Sequence, residues 1–354
     1  MKTMKAAVLH APGDLRVEQV SVPDPNAGEA LVRVTACGVC GSDLPRVRKT
    51  GTYRFPTIPG HEMSGVIEEI VRAEGGGAGV PLDVGTAVSV VPLVPCRRCR
   101  FCEKGQFAQC EAYDFLGSRS NGGFAEYLTA PLENLVPLPP GVTAIEGAML
   151  EPITVALHAV RNLQVEWGEC VAVLGMGAIG NFVAQWARAF GASRVFGIDL
   201  VPAKVDIGRS VGLRDSTSAR GKDLVRMIES STGGKGADVV FEASGGGDAI
   251  NLAIELLRPF GRLGLLGRPS SAVAVSVERF EKILRGQITI RGTWSFEFAA
   301  FPHHPWTEAA TAVAEGKIQV SPLVTHKIPL DEVPAAIEMM ASGKEFYHKV
   351  VVIP

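Results

Sequence analysis

Four cysteines form the densest group of metal-ligating side chains in the sequence. They are Cys96, Cys99, Cys102 and Cys110, in the pattern Cys-x2-Cys-x2-Cys-x7-Cys. Four thiolates at this spacing fit a closed tetrahedral zinc site, which leaves no coordination position for a substrate. Two disulfides, four unrelated thiols and an iron–sulfur cluster are the alternatives. The spacing therefore predicts a structural zinc ion.

A looser set of metal-ligating residue types is spread over the first 151 residues. Cys40 follows a predicted strand, His61 and Glu62 are adjacent, and Glu151 stands where the pattern of predicted elements changes. These side-chain types all bind first-row metals, and a site with three protein ligands keeps one position open for a substrate. A buried thiol, a hydrogen-bonded core histidine and a carboxylate at a helix N-terminus explain the same residues equally well. Spacing alone does not decide between the two interpretations.

A glycine-rich run follows a predicted apolar strand and opens a predicted helix. In a dinucleotide-binding turn, such glycines allow a tight turn, close approach of a pyrophosphate, and packing of helix on strand. A plain strand–helix turn is the alternative, but a second predicted strand ends at Asp199, where an acidic residue binds a ribose hydroxyl. That carboxylate repels a 2′-phosphate, and Leu200 rather than an arginine follows it, which favours NAD over NADP. The residues of the run are Gly175, Met176, Gly177, Ala178, Ile179 and Gly180.

The predicted elements change in character near residue 152. Before it, short strands are predicted at 5–9, 29–36, 64–71, 86–91 and 124–130. After it, strands at 170–174, 195–199, 238–242, 262–266 and 287–290 alternate with helices at 179–190, 203–211, 222–231 and 248–257. Near-continuous apolar strands between helices are typical of a buried, doubly wound parallel sheet. With a last strand at 349–353, the sequence predicts an α/β domain inserted into a β-rich one.

Length and composition narrow the class of protein. A chain of 354 residues predicts two domains, and a formal net charge of −2 argues against nucleic acid as a partner. No apolar run approaches the length needed to span a bilayer, and no signal peptide is evident. Seven cysteines are too few for a disulfide scaffold in a chain of this length. We therefore expect a cytoplasmic protein that acts on a small molecule, without a membrane partner.

Together, these motifs resemble those of the zinc-dependent medium-chain dehydrogenase/reductase superfamily. The resemblance implies an α/β fold in which a GroES-like β-rich catalytic domain carries an inserted doubly wound Rossmann domain. On this basis we expect the catalytic domain at 1–155 and 293–354, and the NAD-binding domain at 156–292. Segments 40–46, 117–119, 122–127 and 151–155 look most like the polyol dehydrogenase branch. The motifs that carry the resemblance are Cys40-Gly41-Ser42-Asp43, Gly60-His61-Glu62, the four cysteines, Glu151-Pro152 and the glycine-rich run.

The resemblance also implies which residues hold metal and cofactor. Cys40, His61 and a carboxylate, either Glu62 or Glu151, would bind a catalytic zinc ion. Together with the four-cysteine site, this predicts two zinc ions per subunit. The residues expected to bind the cofactor outside the glycine-rich run are Asp199, Lys204, Leu266, Gly267, Thr293 and Trp294.

The implied activity is reversible, NAD-dependent oxidation of a secondary alcohol of a polyol or polyol phosphate to the ketone. Ser42 is the expected first proton acceptor, and Pro45 stands where many relatives have a proton-relaying histidine. Dehydrogenases of threonine or 2,3-butanediol share the fold and are the alternative. A zinc-bearing nucleic-acid-binding protein is the alternative from another class.

A basic cluster follows Cys40 in the chain. We expect one or two of its side chains to hold a substrate phosphate by charge-assisted hydrogen bonds. A solvated basic loop is the alternative. The resemblance favours a homodimer or homotetramer. The residues of the cluster are Arg46, Arg48, Lys49 and Arg54.

Overall fold

The computed structural model describes residues 2–73, 82–269, 271–298 and 304–354. The chain divides into two compact units. The first comprises Met1–Glu151, Glu297–Glu315 and Val324–Pro354, and the second comprises Pro152–Phe296 and Gly316–Leu323. The inserted unit thus begins at 152 and ends at 296, where the sequence predicted 156 and 292. Residues 316–323 belong to the second unit, although the sequence assigned them to the first.

The strands of the described chain are numbered in sequence order. They are β1 (Thr3–Ala11), β2 (Asp14–Ser21), β3 (Glu29–Val39), β4 (Glu62–Val71), β5 (Ala87–Val90), β6 (Leu93–Val94), β7 (Asp114–Phe115), β8 (Tyr127–Pro131), β9 (Leu135–Pro137), β10 (Cys170–Leu174), β11 (Arg194–Ile198), β12 (Ala237–Glu242), β13 (Leu257–Leu265), β14 (Thr289–Gly292), β15 (Val324–Pro329) and β16 (Lys349–Ile353).

The helices are numbered in the same way. They are α1 (Asp43–Pro45), which continues as a π-helical turn (Arg46–Thr50), α2 (Ala144–Ala148), α3 (Leu150–Asn162), α4 (Ala178–Ala189), α5 (Pro202–Ser210), α6 (Gly221–Ser231), α7 (Ala249–Leu256), α8 (Val277–Gly286), α9 (Pro305–Ala314) and α10 (Val333–Ser342). Within the described residues, none of the helices combines the length and apolar character required to span a membrane.

The first unit is built around a sheet of seven strands. The strand order is β15-β16-β3-β4-β5-β9, and β8 also pairs with β3. Its core contains valine, alanine and leucine side chains of β3, β8 and β16, together with Met63 and Ile67 of β4. Because β16 pairs antiparallel with β3, the strand nearest the end of the chain lies beside a strand from its first forty residues.

The second unit contains a parallel sheet of five strands in the order β11-β10-β12-β13-β14. Every residue of β10 is buried, which explains its uninterrupted apolar sequence. The strand β11 lies on one side of β10, and β12 lies on the other. In such sheets, ligands bind outside the carboxyl ends of the strands at the point where the strand order reverses. The glycine-rich run starts at this point, directly after β10.

The element β13 differs from its predicted strand, which covered only 262–266. Leu257 pairs with Ala237, whereas Arg262 pairs with Val239, so that several residues of β13 bulge out of the ladder between these pairs. Phe260 lies in the bulge with a φ of 60°. Since the helix α7 already ends at Leu256, the strand begins where the sequence predicted the last residue of a helix.

Candidate metal centres and cofactor-binding turn

The four cysteines predicted to bind structural zinc lie within one small lobe of the first unit. Their sulfur atoms all lie within 4.8 Å of one another. The Sγ–Sγ distance is 3.6 Å for Cys99–Cys102 and 3.9 Å for Cys99–Cys110. A tetrahedral ion with zinc–sulfur bonds of about 2.3 Å separates its sulfur ligands by roughly 3.8 Å. The described thiols are free rather than paired as disulfides, so their arrangement fits zinc and not two disulfides.

Backbone groups and burial have opposite effects on the cysteine thiols. The N–H of Glu111, together with those of Cys102 and Phe101, lowers the pKa of Cys99 to about 6. Burial raises the pKa of Cys102 to about 12. Cys102 therefore needs a bound cation to ionise at neutral pH, whereas Cys99 is a thiolate more readily.

Two of the three arginines between these cysteines form ion pairs within the unit. Arg97 pairs with Glu133 at 2.9 Å, and its guanidinium lies 4.4 Å from the centre of the Phe107 ring. Arg100 pairs with Glu111 at 2.9 Å. These carboxylates neutralise two of the charges that a nucleic-acid-binding lobe would present to phosphates.

Cys40, His61 and Glu62 come together at one end of the β3–β4 pair. Cys40 follows the last residue of β3, and Glu62 is the first residue of β4. Their ligand atoms and that of His61 lie within 4.8 Å of one another. Gly38 faces Glu62 across the ladder, and a Cβ on Gly38 would lie only 1.9 Å from Glu62 Oε2. A residue without a side chain is therefore required there to leave room for the carboxylate.

Asp43 holds two of these groups in position. Its Oδ2 accepts a hydrogen bond from the Cys40 backbone N–H at 3.0 Å, and its Oδ1 lies 3.4 Å from His61 Nδ1. Arg46 Nη1 donates to Asp43 Oδ1 at 3.1 Å. Burial alone would raise the pKa of Asp43, but His61 and Arg46 lower it below its usual range. Burial likewise opposes a charged His61, yet Asp43 and Cys40 raise the pKa of the imidazole well above its usual value.

Ser42 lies beside the same group. Its Oγ donates a hydrogen bond to Cys40 Sγ at 3.3 Å. The hydroxyl proton thus points to the sulfur, and the oxygen lone pairs are left as acceptors for another proton.

Lys349 is the buried partner of Glu62. Its Nζ donates to Glu62 Oε1 at 2.7 Å and to the Val39 carbonyl at 3.0 Å. Burial alone would lower the pKa of Lys349, but Glu62 outweighs this effect and raises it. The β16–β3 pairing places the ammonium group at this position, because it sets Val350 opposite Val39.

Glu151, the other candidate ligand, lies at the start of α3. Burial raises the pKa of its carboxyl to about 7, and the nearby His61 opposes this shift. Among the described residues, Glu151 does not join Cys40 and His61 within the distance that groups them with Glu62. The geometry therefore favours Glu62 as the third ligand.

The glycine-rich run forms a tight turn between β10 and α4. Gly175 has a φ of 94°, and a Cβ on Gly180 would lie 1.8 Å from the Gly175 carbonyl oxygen. A Cβ on Gly177, in contrast, would have no neighbour within 4 Å in the described chain. The first and third glycines thus serve the turn and its packing, while the second leaves open space before the N-terminus of the helix. A pyrophosphate fits such a position, because the first N–H groups of a helix have no acceptor within it.

Asp199 follows β11 and is anchored by backbone groups. Its Oδ2 accepts a hydrogen bond from Met176 N at 2.8 Å, and its Oδ1 accepts one from Val201 N at 2.9 Å. Lys204 Nζ lies 3.9 Å from Asp199 Oδ2. The carboxylate is thus fixed beside the glycine-rich run, where it would meet an adenosine ribose.

The remaining predicted cofactor residues lie after β13 and β14. The N–H groups of Leu266 and Gly267 both donate to the Glu242 carbonyl at 2.9 Å. Thr293 Oγ1 donates to the Leu265 carbonyl at 3.0 Å, and the Arg268 guanidinium lies over the half-exposed Trp294 ring. These residues therefore follow neighbouring strands at their carboxyl ends, as the glycine-rich run does.

Only part of the predicted phosphate-binding cluster is available to bind a phosphate. Besides Arg46, which donates to Asp43, Arg48 donates to Glu338 at 3.0 Å. Lys49 and Arg54 are exposed, and in the described part of the chain neither forms an ion pair.

Sequence reasoning missed Asp43 and Lys349 as site residues. Asp43 stands in the same motif as Cys40 and Ser42, so its position offered a signal. Lys349 offered a weaker one, as the charged residue that opens the apolar strand β16.

Comparison with known proteins adds the family. Residues 26–140 match the alcohol dehydrogenase GroES-like domain, and residues 178–315 match the zinc-binding dehydrogenase family. Galactitol 1-phosphate 5-dehydrogenase of Escherichia coli (strain K12) is 33% identical over 353 residues, which cover 99% of this chain and 100% of the relative. Erythritol/L-threitol dehydrogenase of Mycolicibacterium smegmatis is 33% identical over 366 residues, covering 99% of this chain and 98% of the relative.

Solved structures give the same result. A zinc-binding dehydrogenase of Sinorhizobium meliloti 1021, solved with NADP, has a TM-score of 0.90 and 29% identity, and each chain is covered completely. An alcohol dehydrogenase of Escherichia coli CFT073 complexed with NADH has a TM-score of 0.87 and 25% identity, with 99% of each chain covered. The chain is therefore an alcohol dehydrogenase and belongs to the zinc-dependent medium-chain dehydrogenase/reductase superfamily.

Proposed function

We propose that the protein catalyses reversible, NAD-dependent oxidation of a secondary alcohol of a polyol or polyol phosphate to the ketone. The proposal is carried by the group of Cys40, His61 and Glu62, with the Ser42 hydroxyl beside it. The names of two relatives support the substrate class, because they are dehydrogenases of galactitol 1-phosphate and of erythritol or L-threitol.

The donor set of this group fits a catalytic zinc ion. A thiolate, an imidazole and a carboxylate are all zinc ligands, and three protein ligands leave a position for the substrate. Asp43 faces the Nδ1 side of His61, which leaves Nε2 as the ring nitrogen for a metal. We propose that Cys40, His61 and Glu62 hold this zinc, and that the four cysteines hold a second, structural one.

The chain's own residues handle the proton. When bound, zinc supplies Lewis acidity that lowers the pKa of the substrate hydroxyl, and NAD supplies the hydride acceptor. Ser42 Oγ accepts the proton of the substrate hydroxyl by hydrogen bond and passes its own hydroxyl proton outward to solvent, and in the reverse reaction both transfers run backwards. Asp43 keeps the His61 ring and the Cys40 backbone in place during both directions.

We propose that the cofactor is NAD rather than NADP and that it binds at the turn after β10. The support is the fixed carboxylate of Asp199, which offers two acceptors to a ribose and repels a 2′-phosphate. Lys204, Leu266, Gly267, Thr293 and Trp294 are the further proposed contacts.

We also propose that the protein forms a homo-oligomer. The strand β14 is the edge of the parallel sheet, and all four of its residues are exposed. Val277, Phe280 and Leu284 of α8 are exposed apolar side chains in the same unit. An exposed strand edge and an apolar surface are features that a second copy of a chain commonly covers.

Steady-state NAD reduction over a panel of alditols, alditol phosphates, threonine and 2,3-butanediol tests the proposed function. We expect kcat/KM for the preferred alditol or its phosphate to exceed that for the other two classes by roughly tenfold or more, which equals about 1.4 kcal/mol of transition-state binding. A preference for threonine or butanediol would assign the enzyme to another dehydrogenase activity.

A further inference from the structure

Arg119 has an environment unlike that of the other arginines near the four cysteines and the metal-ligand group. Its guanidinium carbon lies 3.9 Å from the ring centre of Tyr53 and 4.4 Å from that of Tyr113. Arg46 and Arg97 each pair with a carboxylate. Within the described residues, Arg119 has no such partner, and its buried Nε has no hydrogen-bond acceptor.

The segment that carries Arg119 is fixed to the residues next to His61. Gly122 N donates to the Ile58 carbonyl at 2.8 Å, and Gly123 N donates to the Gly60 carbonyl at 2.9 Å. A Cβ on Gly117 would lie 2.3 Å from the Gly60 carbonyl oxygen, so the two segments touch through their backbones. The position of Arg119 is therefore coupled to that of the metal-ligand group.

Aromatic side chains connect the two places. The rings of His61 and Phe115 have centroids 5.7 Å apart, and those of Phe115 and Tyr113 are 6.4 Å apart. Tyr113 in turn contacts the Arg119 guanidinium. A continuous row of rings thus runs from the proposed catalytic zinc to an arginine without a counter-ion.

Stacking uses the faces of a guanidinium and leaves its N–H donors at the edge. A phosphate accepts two such donors side by side, and a hydroxyl group does not. Arg46 and Arg48 are already engaged by carboxylates, and Lys49 and Arg54 are exposed. Arg119, which two rings hold in place, is therefore a better candidate for binding a substrate anion than the four residues of the basic cluster.

We propose that Arg119, held by Tyr53 and Tyr113, binds the phosphate group of a polyol phosphate substrate and so determines specificity for it. This inference rests on the proposed function. The reacting alcohol lies at the metal-ligand group, and the phosphate lies at the guanidinium.

The test uses Arg119→Met, which keeps an unbranched apolar chain between the tyrosines, and Arg119→Lys, which keeps the charge without the planar donor pair. Each zinc-loaded enzyme is assayed on an alditol and on its phosphate. For Arg119→Met we expect KM for the phosphate to rise roughly 10- to 150-fold, as for the loss of a charged hydrogen bond, with kcat nearly unchanged. KM for the plain alditol is expected to stay within about twofold, and Arg119→Lys is expected to lie in between.

Two further measurements separate binding from folding. Inorganic phosphate, measured by calorimetry, is expected to bind the unmutated enzyme more tightly than Arg119→Met by a similar factor. Arg33→Met is the matched control, because Arg33 pairs with Glu68 on the surface of the same unit. We expect this control to have normal zinc content and normal NADH binding. Its ratio of KM values for the alditol and its phosphate is expected to equal that of the unmutated enzyme.

Several outcomes would overturn the assignment. Equal losses on the alditol and its phosphate would mean that Arg119 only packs between the tyrosines. Unchanged binding of inorganic phosphate in Arg119→Met would mean that no anion contacts it. If the unmutated enzyme oxidises the plain alditol as well as the phosphate, the proposed function stands and Arg119 is not its specificity residue. Oxidation of neither compound overturns the proposed function itself, and with it this substrate.

Discussion

Some residues of this enzyme have more than one role, and Glu62 is the clearest case. Its carboxylate lies with Cys40 and His61, where it is the proposed third metal ligand, and it is also the counter-ion of the buried Lys349. Glu151 is buried nearby, but its raised pKa of about 7 marks it as a group that keeps its proton more readily. Because zinc binds the ionised form of a carboxyl group, the raised pKa makes Glu151 a poorer zinc ligand.

The roles of Glu62 and Glu151 can be separated with isosteric amides. We expect Glu62→Gln to lose most of the zinc held with Cys40 and His61, because the amide is a weaker ligand than a carboxylate. Glu151→Gln is expected to retain it. Zinc analysis after exhaustive dialysis measures both, and the four-cysteine zinc serves as the internal reference. Loss of zinc in Glu151→Gln alone would reverse the assignment.

Asp199 likewise combines two roles, since it anchors Met176 and Val201 and is the proposed ribose ligand. We expect Asp199→Asn to shift the ratio of kcat/KM for NAD over NADP toward NADP by roughly 10- to 150-fold, as for loss of a charged hydrogen bond. The asparagine keeps an acceptor for one of the two backbone N–H groups, so that the change reports the charge together with one anchoring hydrogen bond. Equal use of both cofactors by the unmutated enzyme would contradict the role.

At the scale of elements, the site depends on strand register. The pairing of Gly38 with Glu62 places Cys40 and His61 at the same end of β3 and β4. The pairing of Val350 with Val39 brings Lys349 to the same place. A shift of either strand by one residue would turn these side chains to the other face of the sheet.

The β16–β3 pairing is tested through Lys349→Met, which leaves the Glu62 charge buried without its cation. In zinc-free protein we expect a loss of about 3–5 kcal/mol in the free energy of unfolding, the usual cost of breaking a buried ion pair. The double variant Lys349→Met with Glu62→Gln is expected to recover part of this loss, because no buried charge is left. Urea unfolding of the first unit gives this free energy for the unmutated protein, the single variant and the double variant. A loss below about 1 kcal/mol would mean that water reaches Glu62.

Patterns in the sequence predicted some elements better than others. The strand at 170–174 is fully apolar and the glycine-rich run is short and local, so both were predicted with their observed bounds. In contrast, β2 and α8 were not predicted, because β2 has no fully buried residue and Gly286 is the one fully buried residue of α8, so that burial imposes no apolar pattern on either. Lys349 and the proposed role of Arg119 were missed for a different reason: they depend on Glu62 and Tyr53, which are distant in sequence and so lie outside any local pattern.

At the scale of the whole molecule, the four cysteines and the Cys40 group are independent clusters in the first unit, with opposite expected roles. A closed four-thiolate site contributes folding energy, whereas a site with an open position contributes chemistry.

Substitutions in the two clusters should therefore have different effects on the stability and the activity of the protein, although each removes one zinc ion. We expect about two zinc ions per unmutated chain and about one in either Cys40→Ala or Cys99→Ala. Cys99→Ala is expected to lower Tm markedly, and Cys40→Ala to abolish turnover with little change in Tm. The control Cys170→Ala, a buried thiol of the second unit, is expected to keep both ions. One zinc or fewer in the unmutated protein would contradict the two-site assignment.

The ion pair between Glu62 and Lys349 also constrains when the first unit can complete its folding during translation. Its two members are separated by 287 positions in the chain, and the entire second unit is translated between them. Until β16 emerges, β3 lacks one of its neighbours and Glu62 lacks its cation. The nascent first unit therefore cannot reach its final packing in the order in which it is made, and β3 keeps an open strand edge until β16 has been translated.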